Sequence, residues 1–169
     1  LFLTQMKGNH QPLVITGKTG TLGYAFQRAC LLRGISHELL DRRELNIAHF
    51  DQIEEVIKTK RPWAIVNTAG FVRVDDAEDE IENCYLANAT GPEYLAMICR
   101  KYDVKLLTFS SDLVFDGKKL KPYVESDLPQ PLNVYAASKV AGEHLIASVL
   151  DDHLIVRTAA LYGNAPCRA

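Results

Sequence analysis

Residues 13–23 read LVITGKTGTLG, and this stretch decides the fold. Its first four residues are mainly apolar and run directly into glycines, which is typical of a buried parallel strand ending in a tight turn. A helical pattern then continues from Tyr24 to Arg33 and stops at Gly34, a residue that often ends helices. A strand, a glycine turn and a helix in this order predict the first half of a βαβ unit.

Strand-type and helix-type segments alternate through the rest of the chain. Further strands are predicted at residues 35–41, 63–67, 104–110 and 154–157, and helices at residues 51–60, 80–102 and 134–150. Within the longest helix, Gly91-Pro92 predicts a kink. The alternation predicts an α/β fold, a doubly wound parallel sheet with helices on both faces, in which ligands bind at the carboxyl ends of the strands.

Composition excludes several classes of protein. The chain has 169 residues, enough for one domain, and a net charge of -2 that argues against a nucleic-acid partner. No apolar run approaches the roughly 20 residues that a membrane span needs. The four cysteines form no C-x-x-C pair, so we interpret them as reduced thiols of a cytoplasmic protein and expect no metal site.

The glycines of the opening stretch, Gly17, Gly20 and Gly23, suit a dinucleotide. They let the backbone turn tightly and approach a pyrophosphate at the helix N-terminus, which predicts an NAD(P)-binding Rossmann-like fold. The spacing is G-x-x-G-x-x-G rather than G-x-G-x-x-G, and a tight turn without a ligand is the alternative. The predicted cofactor loop also includes Lys18, Thr19 and Leu22.

Two more strand ends carry candidates for cofactor contacts. Asp41-Arg42-Arg43 follows the second strand, where an acid binds a ribose hydroxyl and arginines bind a 2′-phosphate. We therefore favour NADP(H) and expect NAD(H) to be usable, with solvated arginines as the alternative. After the third strand, Ala69 and Gly70 are small enough for a cofactor to lie against the backbone, although close helix packing would also explain them.

Ser111, Tyr135 and Lys139 are the predicted catalytic residues. Tyr135 and Lys139 are four apart on a helix and share one face, and Ser111 follows the fourth strand. Ser111 would bind a substrate carbonyl while Tyr135 protonates the forming alkoxide. Lys139 would lower the pKa of Tyr135 and bind the nicotinamide ribose.

Longer sequence motifs surround the predicted catalytic residues. They include DLVFDG at residues 112–117, PLNVYAASKVAGE at 131–143 and IVRT at 155–158. On these motifs the chain, from residue 13 to residue 163, resembles the extended short-chain dehydrogenase/reductase superfamily and, within it, the dTDP-4-dehydrorhamnose reductase family. The resemblance maps the family's catalytic Thr/Ser, Tyr and Lys onto the three residues above. It also matches Asn88 to an asparagine near the cofactor, the alternative being a helix-interior polar group tied to the backbone.

The resemblance implies reduction of the C4 ketone of a dTDP-linked 6-deoxyhexulose by hydride from NAD(P)H, giving dTDP-L-rhamnose. The partner is then a nucleotide sugar, and a homodimer is left open. Leu113 stands where the family commonly has Tyr, and Ala159-Ala160 where it commonly has an aromatic residue. These departures favour the alternative, a non-catalytic NADP-binding regulatory module of the same superfamily.

The chain divides into three predicted segments. Residues 1–12 are expected to be a linker, residues 13–163 the NAD(P)-binding domain, and residues 164–169 a truncated connection to a missing substrate lobe. We therefore expect the chain to be part of a longer polypeptide. On that basis it should bind cofactor without measurable reductase activity by itself.

Overall fold

A computed structural model describes residues 11–163, and its regular elements alternate between strand and helix. The strands are β1 (Leu13–Thr16), β2 (His37–Leu40), β3 (Ala64–Asn67), β4 (Lys105–Ser111) and β5 (His153–Thr158). The helices are α1 (Thr21–Arg33), α2 (Phe50–Lys60), α3 (Ile81–Tyr85), α4 (Gly91–Tyr102) and α5 (Val134–Val149), with a π-helical segment at Leu86–Thr90 and 3-10 turns at Asp76–Glu78 and Asp112–Val114. Residues 1–10 and 164–169 of the predicted end segments lie outside this range.

The strands form one parallel sheet in the order β2-β1-β3-β4-β5. β1 pairs with β2 on one side and with β3 on the other, so the direction in which the chain crosses the sheet reverses between these pairings. Such a reversal opens a crevice at the carboxyl ends of the strands, where ligands bind in sheets of this type. The predicted doubly wound parallel sheet is confirmed.

Both faces of the sheet are covered by helices. Val14, Ile65 and Leu106 pack in one core cluster with residues of α2, α4 and α5. The alternate side chains of β1, such as Ile15, pack in a second cluster with Cys30 of α1. Because side chains alternate along a strand, the consecutive apolar residues of β1 and β3 are explained by a core on each face.

The helix predicted at residues 80–102 is three elements, α3, the π-helical segment and α4. Pro92 lies in the first turn of α4 and has no N–H to donate to the carbonyl of Asn88 one turn earlier. The wider π turn directly before it accommodates that missing bond. The predicted irregularity at Gly91-Pro92 therefore begins earlier, at Leu86. Among the described residues, no helix is long and apolar enough to cross a membrane.

Candidate active site

The glycine loop between β1 and α1 packs tightly against the loop that follows β3. Gly17 has a φ of +79°, and a Cβ atom there would lie 2.5 Å from Thr68 Oγ1. The Gly20 N–H donates to Gly17 O at 2.9 Å and closes the turn, and a Cβ at Gly23 would collide with the same carbonyl. α1 begins immediately afterwards with no side-chain cap and no acidic residue in its first turn. The N–H groups of its first turn can therefore donate hydrogen bonds to an anion such as a pyrophosphate.

A polar ladder crosses three strands beneath this loop. Thr16 Oγ1 donates to Asn67 Oδ1 at 2.8 Å, and Asn67 Nδ2 donates to Thr108 Oγ1 at 3.2 Å. Thr16 Oγ1 also accepts from the N–H groups of Thr68 at 3.1 Å and Ala69 at 3.2 Å. The ladder holds the loops after β1 and β3 at a fixed spacing. Sequence analysis missed Thr16 and Thr108, although each is a polar residue in a largely apolar strand.

Asp41 organises the turn after β2. Its Oδ1 accepts from the N–H groups of Arg43 at 2.8 Å and Glu44 at 3.1 Å, and the bonds from Glu44 and then Arg43 hold the pKa of its carboxyl below the usual value. Lys18, predicted to be part of the cofactor loop, forms an exposed ion pair with Glu44 at 3.4 Å. Arg42 and Arg43 are exposed, and neither forms an ion pair with a described residue.

Asn88 is almost fully buried in the π-helical segment, and its side chain is bound by protein. Its Oδ1 accepts from Phe71 N at 2.9 Å, and its Nδ2 donates to Phe71 O and to Ser138 Oγ, both at 3.1 Å. A Cβ at Gly70 would lie 2.9 Å from Asn88 Oδ1 and 3.3 Å from Lys139 Nζ. Asn88 thus ties the loop after β3 to α5. Its contact with a cofactor stays a prediction.

The structure brings the three predicted catalytic residues together. Ser111 ends β4, and its Oγ donates to Asp112 Oδ1 and accepts from Leu113 N, each at 3.2 Å. The Ser111 side chain also lies near enough to the Tyr135 phenol to act on its pKa. Lys139 Nζ donates to Phe109 O at 3.3 Å and lies 5.8 Å from the centre of the Tyr135 ring.

The first turn of α5 is fixed by its N-cap. Asn133 Oδ1 accepts from Ala136 N at 2.7 Å and so satisfies one of the free N–H groups at the helix start. Tyr135 lies in this turn, and Lys139 follows one turn later. The cap therefore sets where the phenol and the ammonium meet Ser111.

The pKa values in the site are set mainly by burial. Burial raises the pKa of Tyr135, and the nearby Ser111 side chain opposes that rise. Burial also lowers the pKa of Lys139, to about 8, against the pull of Cys84 and Glu143. The pKa of Tyr135 is thus raised overall, with burial as the largest cause. The Lys139 ammonium donates to the β4 backbone, and its lowering of the Tyr135 pKa stays a prediction.

A groove of about 1080 Å³ opens beside Ser111 and runs between α5 and β5. Its walls include Leu113, which is 39% exposed, and Ala159, both positions where the sequence departs from the family pattern. Phe115, Leu132 and Arg157 also line it. The groove is large enough for a ligand of the size of a sugar, and its lining begins at Asp112, the residue that follows Ser111.

Comparison with known proteins agrees with this geometry. The chain is 38% identical over 154 residues to dTDP-4-keto-6-deoxy-D-glucose reductase of Streptomyces niveus, covering 89% of this chain and 53% of that protein. It is 36% identical over 153 residues to dTDP-4-dehydrorhamnose reductase of Aggregatibacter actinomycetemcomitans, covering 90% and 52%. The chain thus spans about half the length of the curated relatives it matches.

Solved structures give the same result. The crystal structure of dTDP-4-dehydrorhamnose reductase from Bacillus anthracis in complex with NADP matches with a TM-score of 0.87 and 34% identity, covering 90% of this chain and 55% of that one. The resemblance predicted from the sequence motifs is confirmed. The family model described as the RmlD substrate binding domain matches residues 11–167. Because that match takes in nearly the whole chain, the protein belongs to the RmlD substrate-binding-domain family.

Proposed function

We propose that this chain carries the cofactor site and the catalytic residues of an NAD(P)H-dependent reductase of a dTDP-linked 4-keto-6-deoxy sugar. The reaction type is dTDP-4-dehydrorhamnose to dTDP-L-rhamnose. The observation that carries the proposal is the meeting of Ser111, Tyr135 and Lys139 at the carboxyl end of β4. The names of the relatives support the substrate class.

The proposed cofactor is NADP(H), with NAD(H) also usable, and the residues present fit it. The tight turn that Gly17 and Gly23 permit and the uncapped start of α1 would receive the pyrophosphate. Asp41 Oδ2 makes no hydrogen bond within the described range and would accept from a ribose hydroxyl. Arg42 and Arg43 are exposed and would bind a 2′-phosphate. When bound, the cofactor supplies the hydride.

The chain's own residues supply the proton and the orientation. The Tyr135 phenol, whose pKa burial raises, is protonated at neutral pH and would donate the proton. Ser111 lies near the phenol and would orient the substrate carbonyl towards it. Lys139 lies next to Gly70 and would bind the nicotinamide ribose from that side.

The test combines a binding measurement with a turnover measurement. Calorimetric titration of this chain with NADPH and with NADH is expected to give binding of both and tighter binding of NADPH. Turnover is measured on the polypeptide as the cell makes it, with dTDP-4-dehydrorhamnose and other dTDP- and GDP-linked ketosugars. NADPH oxidation with a dTDP-ketosugar in the wild type, lost in Tyr135→Phe, supports the proposal. Cofactor binding without oxidation on any of these sugars contradicts it.

A second candidate, a non-catalytic NADP-binding regulatory module, is favoured by one observation. Leu113 places an apolar side chain in the groove wall beside Ser111, where the family commonly has a tyrosine hydroxyl. A regulatory module would bind NADPH and then bind a protein partner, with no sugar turnover. The turnover assay above separates the two candidates.

The location, the superfamily and the domain limits are also proposals. Cys30, Cys84 and Cys99 are buried free thiols, which supports a reducing compartment such as the cytoplasm. The Tyr135–Lys139 pair supports membership of the short-chain dehydrogenase/reductase superfamily. The regular elements run from Leu13 to Thr158, which supports residues 13–163 as the domain. A homodimer stays a prediction that light scattering would check.

A further inference from the structure

Tyr135, Lys139 and Glu143 recur every fourth residue along α5, so they share one face of the helix. Glu143 is 7% exposed, which is unusual for a carboxylate because a buried charge needs a partner. Its partner is Arg157 on β5. Arg157 Nε lies 3.0 Å from Glu143 Oε1, and Arg157 Nη2 lies 2.6 Å from Oε2, a two-pronged contact.

Arg157 is itself held in place. Its guanidinium carbon lies 5.1 Å from the centre of the Phe115 ring, in the loop that follows β4. Phe115 stacks on Tyr123, with the ring centres 4.1 Å apart. The guanidinium therefore joins α5, β5 and this loop, and the Glu143 carboxylate has little freedom to move.

Lys139 is not in direct contact with a carboxylate of the described residues. Within the described range Lys139 forms no ion pair, and its recorded hydrogen bond is the one to Phe109 O. Lys139 and Glu143 line a small cavity between α5 and β4, together with Ser110, whose buried hydroxyl has no hydrogen-bond partner in the described part of the chain. Glu143 is thus the acid that shares this cavity with Lys139.

The charged and titratable groups around Lys139 come from several elements. They are Cys84 on α3, Tyr135 and Glu143 on α5, Asp112 after β4, and Arg157 on β5. Of these, Cys84 and Glu143 act directly on the pKa of Lys139, and both raise it. Of these two groups, Cys84 is a thiol and Glu143 is a carboxylate.

We propose that Glu143 is a positioning residue for Lys139: clamped by Arg157, its carboxylate stands one helical turn behind the ammonium and keeps it charged in a buried site. The role of that charge in cofactor binding rests on the proposed function, whereas the coupling itself does not. Burial brings the pKa of Lys139 to about 8, so the margin at neutral pH is small. Without the nearby carboxylate, the pKa of Lys139 would fall further towards neutral pH.

The test is a direct titration of Lys139 by NMR, using ¹³C-labelled lysine and assignment by Lys139→Met. In Glu143→Gln the midpoint is expected to fall by about one unit, because a nearby opposite charge has been removed. A merely structural role predicts the reverse. If the substitution only loosened α5, water would reach Lys139 and its midpoint would rise towards the ordinary lysine value.

The matched control is Glu54→Gln. Glu54 also binds lysines, Lys58 and Lys101, but it lies on α2, and the titration of Lys139 should not move. Should Glu143→Gln alone not fold, the double variant Glu143→Gln/Arg157→Gln removes both charges and leaves none buried unpaired. Its midpoint is also expected below the wild type. A midpoint at or above the wild-type value in the folded variants overturns the proposal.

Failure of this inference can be told apart from failure of the proposed function. NADPH titration of the wild-type chain at pH 7 tests the function without reference to Glu143. A chain that does not bind NADPH, but in which Glu143→Gln lowers the Lys139 midpoint, would lose the proposed function and keep the inference. If the chain binds NADPH normally and the Lys139 midpoint does not move in Glu143→Gln, the proposed function is kept and the inference is lost.

Discussion

Asn88→Ala tests whether the π-helical segment holds the site together. The substitution removes four hydrogen bonds: two with the Phe71 backbone, one with Ser138 Oγ and a longer one, at 3.6 Å, to Cys84 Sγ. At about 1 kcal/mol for each of the three bonds with oxygen and nitrogen partners, and with the weak bond to sulfur left out, the free energy of unfolding should fall by about 3 kcal/mol. For a domain of this size that corresponds to a fall in Tm of about 6–12 °C.

The assay is thermal and urea unfolding followed by circular dichroism. Asn83→Ala is the matched control, because Asn83 is an exposed asparagine nearby with one side-chain bond, to Glu80 at 3.0 Å. It should change the unfolding free energy by no more than about 0.5 kcal/mol. If Asn88→Ala costs no more than Asn83→Ala, the bonds of Asn88 do not stabilise the fold and the reasoning is refuted. NADPH affinity measured on the folded variant then shows whether Asn88 also contacts the cofactor.

Three further predictions follow from the same site and from one surface cluster. Gly17→Ala should weaken NADPH binding at least tenfold by calorimetry, because its Cβ meets Thr68. Gly34→Ala is the matched control, because Gly34 has a φ of +64° but a Cβ there would have no atom within 4 Å. This variant should be less stable and should keep its affinity for NADPH. In Tyr135→Phe, kcat should fall by about 10²–10⁴ with the NADPH Kd unchanged, and an unchanged kcat would exclude Tyr135 as the proton donor. Hydrogen bonds, first from Lys101, lower the pKa of Glu54 to about 2 from 4.5, so its stabilisation is present above pH 4.5 and is lost as the pH falls towards 2. Glu54→Gln should therefore show a shallower fall in Tm between pH 5 and pH 2, and an equally steep one would contradict the assignment.

Local pattern was enough to predict the sheet and its helices. The apolar run of β1, the glycines after it and the cap at Gly34 each act within a few residues, so the sequence carries them directly. The element type was therefore predictable even where boundaries moved. β2 begins at His37 rather than at residue 35 because the Ile35 N–H bonds Cys30 O at the end of α1.

Features that depend on contacts between distant elements were not predictable. Pro92 indicated an irregular helix, but the π turn that carries Asn88 depends on how that helix packs against α5. The Tyr135–Lys139 spacing predicted their shared face, yet the pKa of Tyr135 is set by burial, which no spacing reveals. Glu143 and Arg157 were part of quoted motifs, but only the fold shows that they meet.

The strand order also has a consequence for how the chain folds. Every pairing in the sheet is parallel, so none can form as a local hairpin, and each must wait for a helical crossover. Thr16 and Asn67, for example, are 51 residues apart in sequence when they join across β1 and β3. Contacts of such long range slow folding. Because β1 lies between β2 and β3, the first three strands can assemble while the ribosome is still adding the later residues, and β5 joins last at one edge. We therefore expect the amides of β1 to be the slowest to exchange with solvent and those of β5 to exchange first.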